Sequence, residues 1–374
     1  MSEGQNLRQF LLSGQGWPYL LLPFIAIAIV LDLAHADPIL IFFSSALGVV
    51  PTAALMGRAT EELAHRAGPG VGGLLNVTFG NAPELIIALF ALEKGLQEVV
   101  KASIIGSILG NLLLVMGAAM LVGGWGRERQ KFVAEAASAQ ATMLLLAIVA
   151  LVLPAMYLLA HGGSLPALAE EATRFPASVE HMSFAVALVL LVSYFAGLWF
   201  SLNTHRDVFN PEEEDDGAAA HAWSVRKSVG LLAGAGVAVG IMSEILVGSI
   251  EEASEGIGLS PFFVSLIIVA VVGNAAEHWV AVYFAARNKM DIAIAIAIGS
   301  SAQIALFVMP VLVLTSFVLG PFPLALEFSG LELGAMLLAV LIAAHVSQDG
   351  ESTWFEGVQL LAVYVVLGIV FYFV

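Results

Sequence analysis

The sequence predicts an all-α polytopic membrane protein of about 11 transmembrane helices, arranged as one extra helix followed by two inverted five-helix repeats. Three observations carry this. The 374 residues are 59% hydrophobic and 12% charged, with a mean hydropathy of +0.93, and apolar runs of roughly 20 residues, long enough to cross a bilayer as helix, recur throughout. A polar motif, Gly80-Asn81-Ala82-Pro83-Glu84, returns as Gly273-Asn274-Ala275-Ala276-Glu277, and 277 − 84 = 193 separates the two glutamates. The pairs Gly106-Ser107 and Gly299-Ser300 keep that offset, so no gap is needed between motifs.

In order, the apolar segments fall at 17–34, 38–57, 70–93, 101–122, 135–160, 181–202, 224–249, 258–286, 291–318, 331–346 and 354–374. The segment at 331–346 is short, and a start nearer Leu324 is open. Ala34-His35-Ala36 has the small-x-small look of a signal-peptide cleavage site, but Arg8 is the only positive charge before an apolar run longer than the usual ~7–15 residues. A retained first helix is therefore the expectation. The chain divides into 1–36 with the first helix, a first repeat at 37–202, an acidic linker at 203–223 and a second repeat at 224–374. Five spans per repeat is an odd number, which inverts the second copy in the membrane.

Charge tests this count independently. With the N-terminus cytoplasmic, all Lys and Arg fall in inside loops except Lys94, Lys101 and Arg174, as the positive-inside rule requires. The linker, Asn203 to Trp223, is expected inside; its run Glu212-Glu213-Glu214-Asp215-Asp216 reads as a solvated loop or a weak cation collector. It lacks the alternating ligands and central Gly of a calcium-binding EF-hand loop. Thirty acids against 14 bases, net −16, exclude nucleic acid as a partner, since phosphate binding needs clustered bases. The absence of cysteine excludes disulfides and thiolate metal sites.

A carboxylate within a membrane span is costly and usually handles ions or protons. Asn81 and Glu84, like Asn274 and Glu277, stand three residues apart and share a helix face. Pro83 has no N–H, so the Phe79 carbonyl one turn earlier loses its helical partner, and Gly80 eases local unwinding. The second motif has Ala276 in place of Pro83, so unwinding is less secure there. The fourth span carries Ser103, Ser107 and Asn111 on one face, with Gly106 and Gly110 letting another backbone come close; the ninth has Ser300, Ser301 and Gln303 at the matching level. Six to eight oxygens including two carboxylates suit a hard divalent cation, calcium above all. For Ser103 or Ser301 alone, helix-packing glue is the competing reading. His278 either tunes Glu277 and senses pH or is simply packed. Glu61 and Glu62 at one mouth, and Glu244, Glu251 and Glu252 at the other, are cation-concentrating or merely interfacial charges. No His-Glu-x-x-His motif, Ser-His pair or paired-Asp arrangement lies in the spans, so an enzyme is not expected. The implied partners are the lipid bilayer and the transported ions, with no cofactor; oligomeric state is not legible.

Gly80-Asn81-Ala82-Pro83-Glu84-Leu85-Ile86 and Gly273-Asn274-Ala275-Ala276-Glu277-His278, with the Gly-Ser pairs and the acidic linker, resemble the calcium/proton exchangers of the calcium/cation antiporter superfamily over about residues 40 to 374. The resemblance implies an antiporter with a peripheral first helix, in which Glu84 and Glu277 bind Ca2+ and take up protons in turn, with Asn81, Asn274, Ser107 and Ser300 nearby. Sodium-coupled relatives tend to carry an acid where this chain has Asn111 and Gln303, which favours protons. The compact, Ala- and Gly-rich chain suits a prokaryotic plasma membrane better than a vacuolar one.

Overall fold

The structure, a computed structural model, describes residues 16–167, 175–204 and 223–373. Arg8, Arg174 and the acidic run Glu212 to Asp216 lie outside the described residues. A 3-10 turn, Trp17–Leu21, leads into α1, Pro23–Leu33. Next come α2, Pro38–Gly80, and α3, Ala82–Glu93, then α4, Gln97–Leu109, a π-helical segment, Gly110–Val115, and α5, Met116–Gly124. The first half closes with α6, Ala134–Ala160, and α7, Ala177–Trp199.

The second half begins with α8, Val225–Ile257, followed by the short α9, Pro261–Val264, a π segment, Ser265–Val269, and α10, Ala270–Gly273. It continues through α11, Ala275–Ala286, and α12, Met290–Gln303, a further π segment, Ile304–Val308, and α13, Met309–Thr315. It ends with α14, Gly330–Val346, and α15, Trp354–Tyr372. Two two-residue strands, β1 (Gln130–Lys131) and β2 (Glu351–Ser352), pair antiparallel with Gln130 opposite Ser352, and Arg129 forms an ion pair with Glu351 beside them.

The molecule is an all-α multi-pass membrane protein. Seven described helices are long and apolar enough to span a bilayer, the bent pair α9 to α11 makes eight when taken as one span, and Trp17–Leu33 and Gly330–Val346 are shorter apolar helices. The sequence repeat is repeated as structure. Each half has a helix broken at Asn81 or Asn274, then a helix interrupted by a π segment at 110–115 or 304–308.

One boundary differs from expectation and one open boundary is settled. The segments 38–57 and 70–93 are not separated by a loop, because α2 runs unbroken to Gly80. The intervening Arg58-Ala59-Thr60-Glu61-Glu62-Leu63-Ala64 is rich in good helix formers, so nothing there stops the helix. The doubtful tenth segment starts at Gly330: Ser329 caps α14, its side chain accepting the Glu332 N–H while the Glu332 carboxylate accepts the Ser329 N–H. That reciprocal pair satisfies two amides that the first turn leaves open.

The described residues form two compact units. The first takes in residues up to Ile87, those from Ser201 to Leu259, and Val272–Val280; the second takes in Ala88–Phe200, Ser260–Val271 and the residues from Ala281 onward. In the first unit α2 packs along α8, its repeat counterpart. Ala46, Val49, Val50, Ala53 and Met56 of α2, and Ala235, Val239, Met242, Leu246 and Ile250 of α8, are all buried. They recur at three- and four-residue steps, as a helix seam requires. Gly48 permits the approach, since a Cβ there would lie 2.7 Å from Met242 Sδ. α8 stops at Gly258, whose φ of 74° is a left-handed cap natural only to glycine.

In the second unit α4 lies against the Ser265–Val269 π segment at backbone contact distance. A Cβ on Gly106 would fall 2.0 Å from the Leu266 carbonyl oxygen, so any side chain is excluded there. Gly110, expected to share this role, has open space around it; it starts the π segment instead.

Candidate functional site

Both helix breaks lie in the first unit. At the first, α2 ends at Gly80 and Asn81 takes a non-helical φ of −98° and ψ of 22°. The Asn81 carbonyl then accepts the Leu85 N–H at 3.1 Å, starting α3. At the second, the Asn274 carbonyl accepts the His278 N–H at 2.9 Å and starts α11. The helix axis bends by 60° there, so the doubt attached to Ala276 is corrected: the break needs no proline. The π segment upstream already disturbs the helical ladder, and Gly273 adds backbone freedom at the break. At the first break the Phe79 carbonyl is not left open, because it accepts the N–H of Asn81; one lone pair remains for another donor or a cation.

These breaks put Glu84 and Glu277 in the first turns of α3 and α11, where the helix dipole favours negative charge. Asn81 and Asn274 are buried, Glu84 is 8% exposed and Glu277 is half-buried. Glu84 Oε2 is buried with no hydrogen-bond partner among the described residues. The same side chain reaches the second break: a Cβ on Gly273 would lie 3.4 Å from Glu84 Oε1. The two carboxylates repel each other electrostatically. Two negative charges held together out of water are costly, so the arrangement is suited to capturing positive charge.

The hydroxyl and amide residues of the fourth and ninth segments lie in the second unit. Asn111, fully buried in the first π segment, donates from Nδ2 to Ser300 Oγ at 3.3 Å, so polar residues from the two repeats meet. Ser107 is buried and Gln303 half-buried. Ser103 and Ser301 behave differently, donating to the Val100 and Ala297 carbonyls of their own helices. Among the described residues no group of three or more His, Asp or Glu is placed to hold a metal.

The outlying acids divide as well. Glu62 accepts the Trp223 N–H at 2.8 Å, while Arg58 and Lys227 sit over the Trp223 ring at 5.0 Å and 4.3 Å. Its carboxylate fastens the approach to α8. Glu61, Glu244, Glu251 and Glu252 are exposed. Three features were not foreseen from the sequence: the π segments, the Trp223 clamp, and a buried acid, Glu327, beside Lys101. π segments have no compositional signature; Trp223 beside clustered bases was the readable clue to the clamp.

A profile of the sodium/calcium exchanger protein family matches residues 38–203 and 227–373, which is most of the chain. The chain belongs to that family. The two matched blocks exclude α1 and the stretch 204–226. The Ca(2+)/H(+) antiporter of Aphanothece halophytica is 43% identical over 94% of this chain and 95% of its own. The Ca(2+)/H(+) antiporter ChaA of Bacillus subtilis is 42% identical over 93% and 96%. Among solved structures, native YfkE is 38% identical, with a TM-score of 0.80 over 96% of this chain and 100% of that one. Membership in this family of exchangers places the duplicated Asn-x-x-Glu breaks in a transporter scaffold.

Proposed function

We propose that this protein is a secondary antiporter exchanging Ca2+ for H+ by alternating access, and not an enzyme. The observation that carries the reading is the pair of glutamates in duplicated helix breaks, one with an unpartnered buried oxygen. The likeness to two bacterial Ca(2+)/H(+) antiporters over nearly their whole length supports it.

Charge explains why exchange is obligatory. One Ca2+ on two carboxylates leaves the site neutral, as do two protons. The empty, ionised site keeps two buried negative charges at several kcal/mol each. Loaded forms therefore change access readily while the empty form does not. Burial favours the protonated carboxyl and bound Ca2+ favours the ionised one, so the ligands compete for the same oxygens. Glu84 and Glu277 hold Ca2+ or protons, and Asn81, Asn274 and the Phe79 carbonyl add neutral oxygens. By their duplicated positions, Ser107, Ser300, Asn111 and Gln303 extend the ligand set, and His278 tunes Glu277. Glu61, Glu62, Glu244, Glu251 and Glu252 concentrate cations at the two entrances. The proposed setting is a prokaryotic plasma membrane with the N-terminus and linker cytoplasmic, Ca2+ leaving the cell.

The second reading, sodium coupling, rests on the family's description; by the resemblance, the amides Asn111 and Gln303, where sodium-coupled relatives tend to carry an acid, weigh against it. Ca2+ uptake into proteoliposomes separates the two. Uptake driven by an imposed pH gradient and not by a sodium gradient is the expected result, and sodium-driven uptake would replace the proton assignment.

A further inference from the structure

The segment between α13 and α14 is irregular, and its later part is buried, with Leu324, Ala325, Leu326, Glu327 and Phe328 between 0% and 1% exposed. Irregular backbone out of water must find partners for its amides and carbonyls. Here neighbouring helices supply them. Gln97 of α4 donates to the Phe322 and Pro323 carbonyls at 2.9 and 3.2 Å, and Ser183 of α7 accepts the Leu326 N–H at 2.9 Å. Lys101 of α4 donates from Nζ to the Glu327 carbonyl at 2.6 Å.

Glu327 is the exception. It is 0% exposed, and among the described residues neither of its carboxylate oxygens has a hydrogen-bond partner. Lys101 makes no ion pair with it, holding the backbone carbonyl instead, between the rings of Phe175 and Phe328 at 5.5 and 5.6 Å. Among the described residues the charged groups bearing on this cluster are Lys101 itself and, through Lys101, Glu332 of α14. Glu332 is committed to its capping box. Burial pushes the Glu327 carboxyl up to about 7, the Lys101 charge opposing it.

We propose that Glu327 and Lys101 form a proton-binding switch at the start of α4, in which loss of the Glu327 proton to solvent transfers the Lys101 ammonium from the Glu327 carbonyl to its carboxylate. Protonated, the carboxyl is neutral and Lys101 pins the buried segment to α4. Ionised, the carboxylate is the stronger acceptor, and the pin is released. α4 carries Ser107, so the switch regulates the helix assigned a ligand role in the proposed exchange. It is separate from Glu84 and Glu277 in residues and in chemistry.

The test uses the full chain in lipid vesicles. Infrared difference spectra through pH 5 to 9 are expected to show a carboxyl band titrating near neutrality, lost in Glu327→Gln and kept in the Glu84→Gln/Glu277→Gln double variant. Lys101→Met, which leaves the carboxyl in place, is expected to raise its midpoint by about one pH unit or more. At constant pH gradient, the ratio of Ca2+ uptake rates at pH 8 and pH 6 should change at least about threefold in Glu327→Gln, a coupling within the usual range for a residue away from the ligand. A band unchanged in Glu327→Gln, a midpoint unmoved in Lys101→Met, or an unaltered rate ratio would overturn the switch. Failure of proton-driven uptake in the wild-type protein would instead strike the exchange reading and leave the infrared titration standing.

Discussion

The two helix breaks reach the same geometry by different means. The first has Pro83, which denies the Phe79 carbonyl its helical partner; the second has Ala276 and bends by 60° after a π segment. Both place an asparagine at the turn and a glutamate in the next first turn. What the duplicated unit retains is the position of oxygen, not the device that breaks the helix. The breaks are unequal in another respect: Glu84 is buried, with Oε2 unpartnered among the described residues and Oε1 toward Gly273, while Glu277 is half-buried.

The largest effect is expected from the feature both breaks share. Glu84→Gln and Glu277→Gln should each lower Ca2+ flux at least about 100-fold, since a lone remaining carboxylate cannot neutralise a divalent cation and breaking a buried charge arrangement costs ~3–5 kcal/mol. If only Glu84→Gln did so, the breaks would not be functional equals. Gly273→Val probes the contact that links them. Its side chain would crowd Glu84 Oε1, and a Ca2+ affinity weakened about tenfold, ~1.4 kcal/mol, is expected from binding isotherms.

A carboxylate outside both breaks gives a contrast in sign. Glu327, held near 7 against an ordinary value of about 4.5, contributes stability fully present below about pH 4.5 and lost as pH rises through 7. That loss amounts to about 3.5 kcal/mol at most, at ~1.4 kcal/mol per unit. Thermal unfolding in detergent should therefore show a melting temperature falling between pH 5 and 8, with the fall flattened in Glu327→Gln.

Smaller effects sharpen the contrast between proline and glycine. Pro83→Ala makes the first break resemble the second, and flux should fall no more than about threefold because Asn81 still starts α3, a change under ~1 kcal/mol. A loss as large as that of Glu84→Gln would show that the first break depends on its proline after all. Ser103→Ala should leave flux within about twofold, since its hydroxyl bonds its own helix and such back-bonding adds little stability.

The contrast also marks what a sequence exposes. The breaks, their spacing and the acids were legible because a repeated polar motif in apolar surroundings has no cheaper explanation. Gly106 was legible as a close-approach site because only a missing side chain permits it, yet Gly110, equally small, has open space around it. A glycine signals freedom without saying how the fold uses it. The continuity of α2 across residues 58–69 was hidden by charges that read as a loop, although their helix propensity pointed the other way. The π segments left no trace, since they are one-residue misfits in ordinary apolar helix. Glu327 was overlooked because one acid between two apolar runs is usually solvated; only the path of the chain buries it.

The central claim is that Ca2+ and protons compete for the same two carboxylates. Titrating Ca2+ into the purified protein by calorimetry, in two buffers of different ionisation enthalpy, counts the protons released on binding. Proton release in the wild-type protein, absent from the Glu84→Gln/Glu277→Gln variant together with Ca2+ binding, is the predicted result. Ca2+ binding without proton release, or release unchanged in the variant, would contradict it.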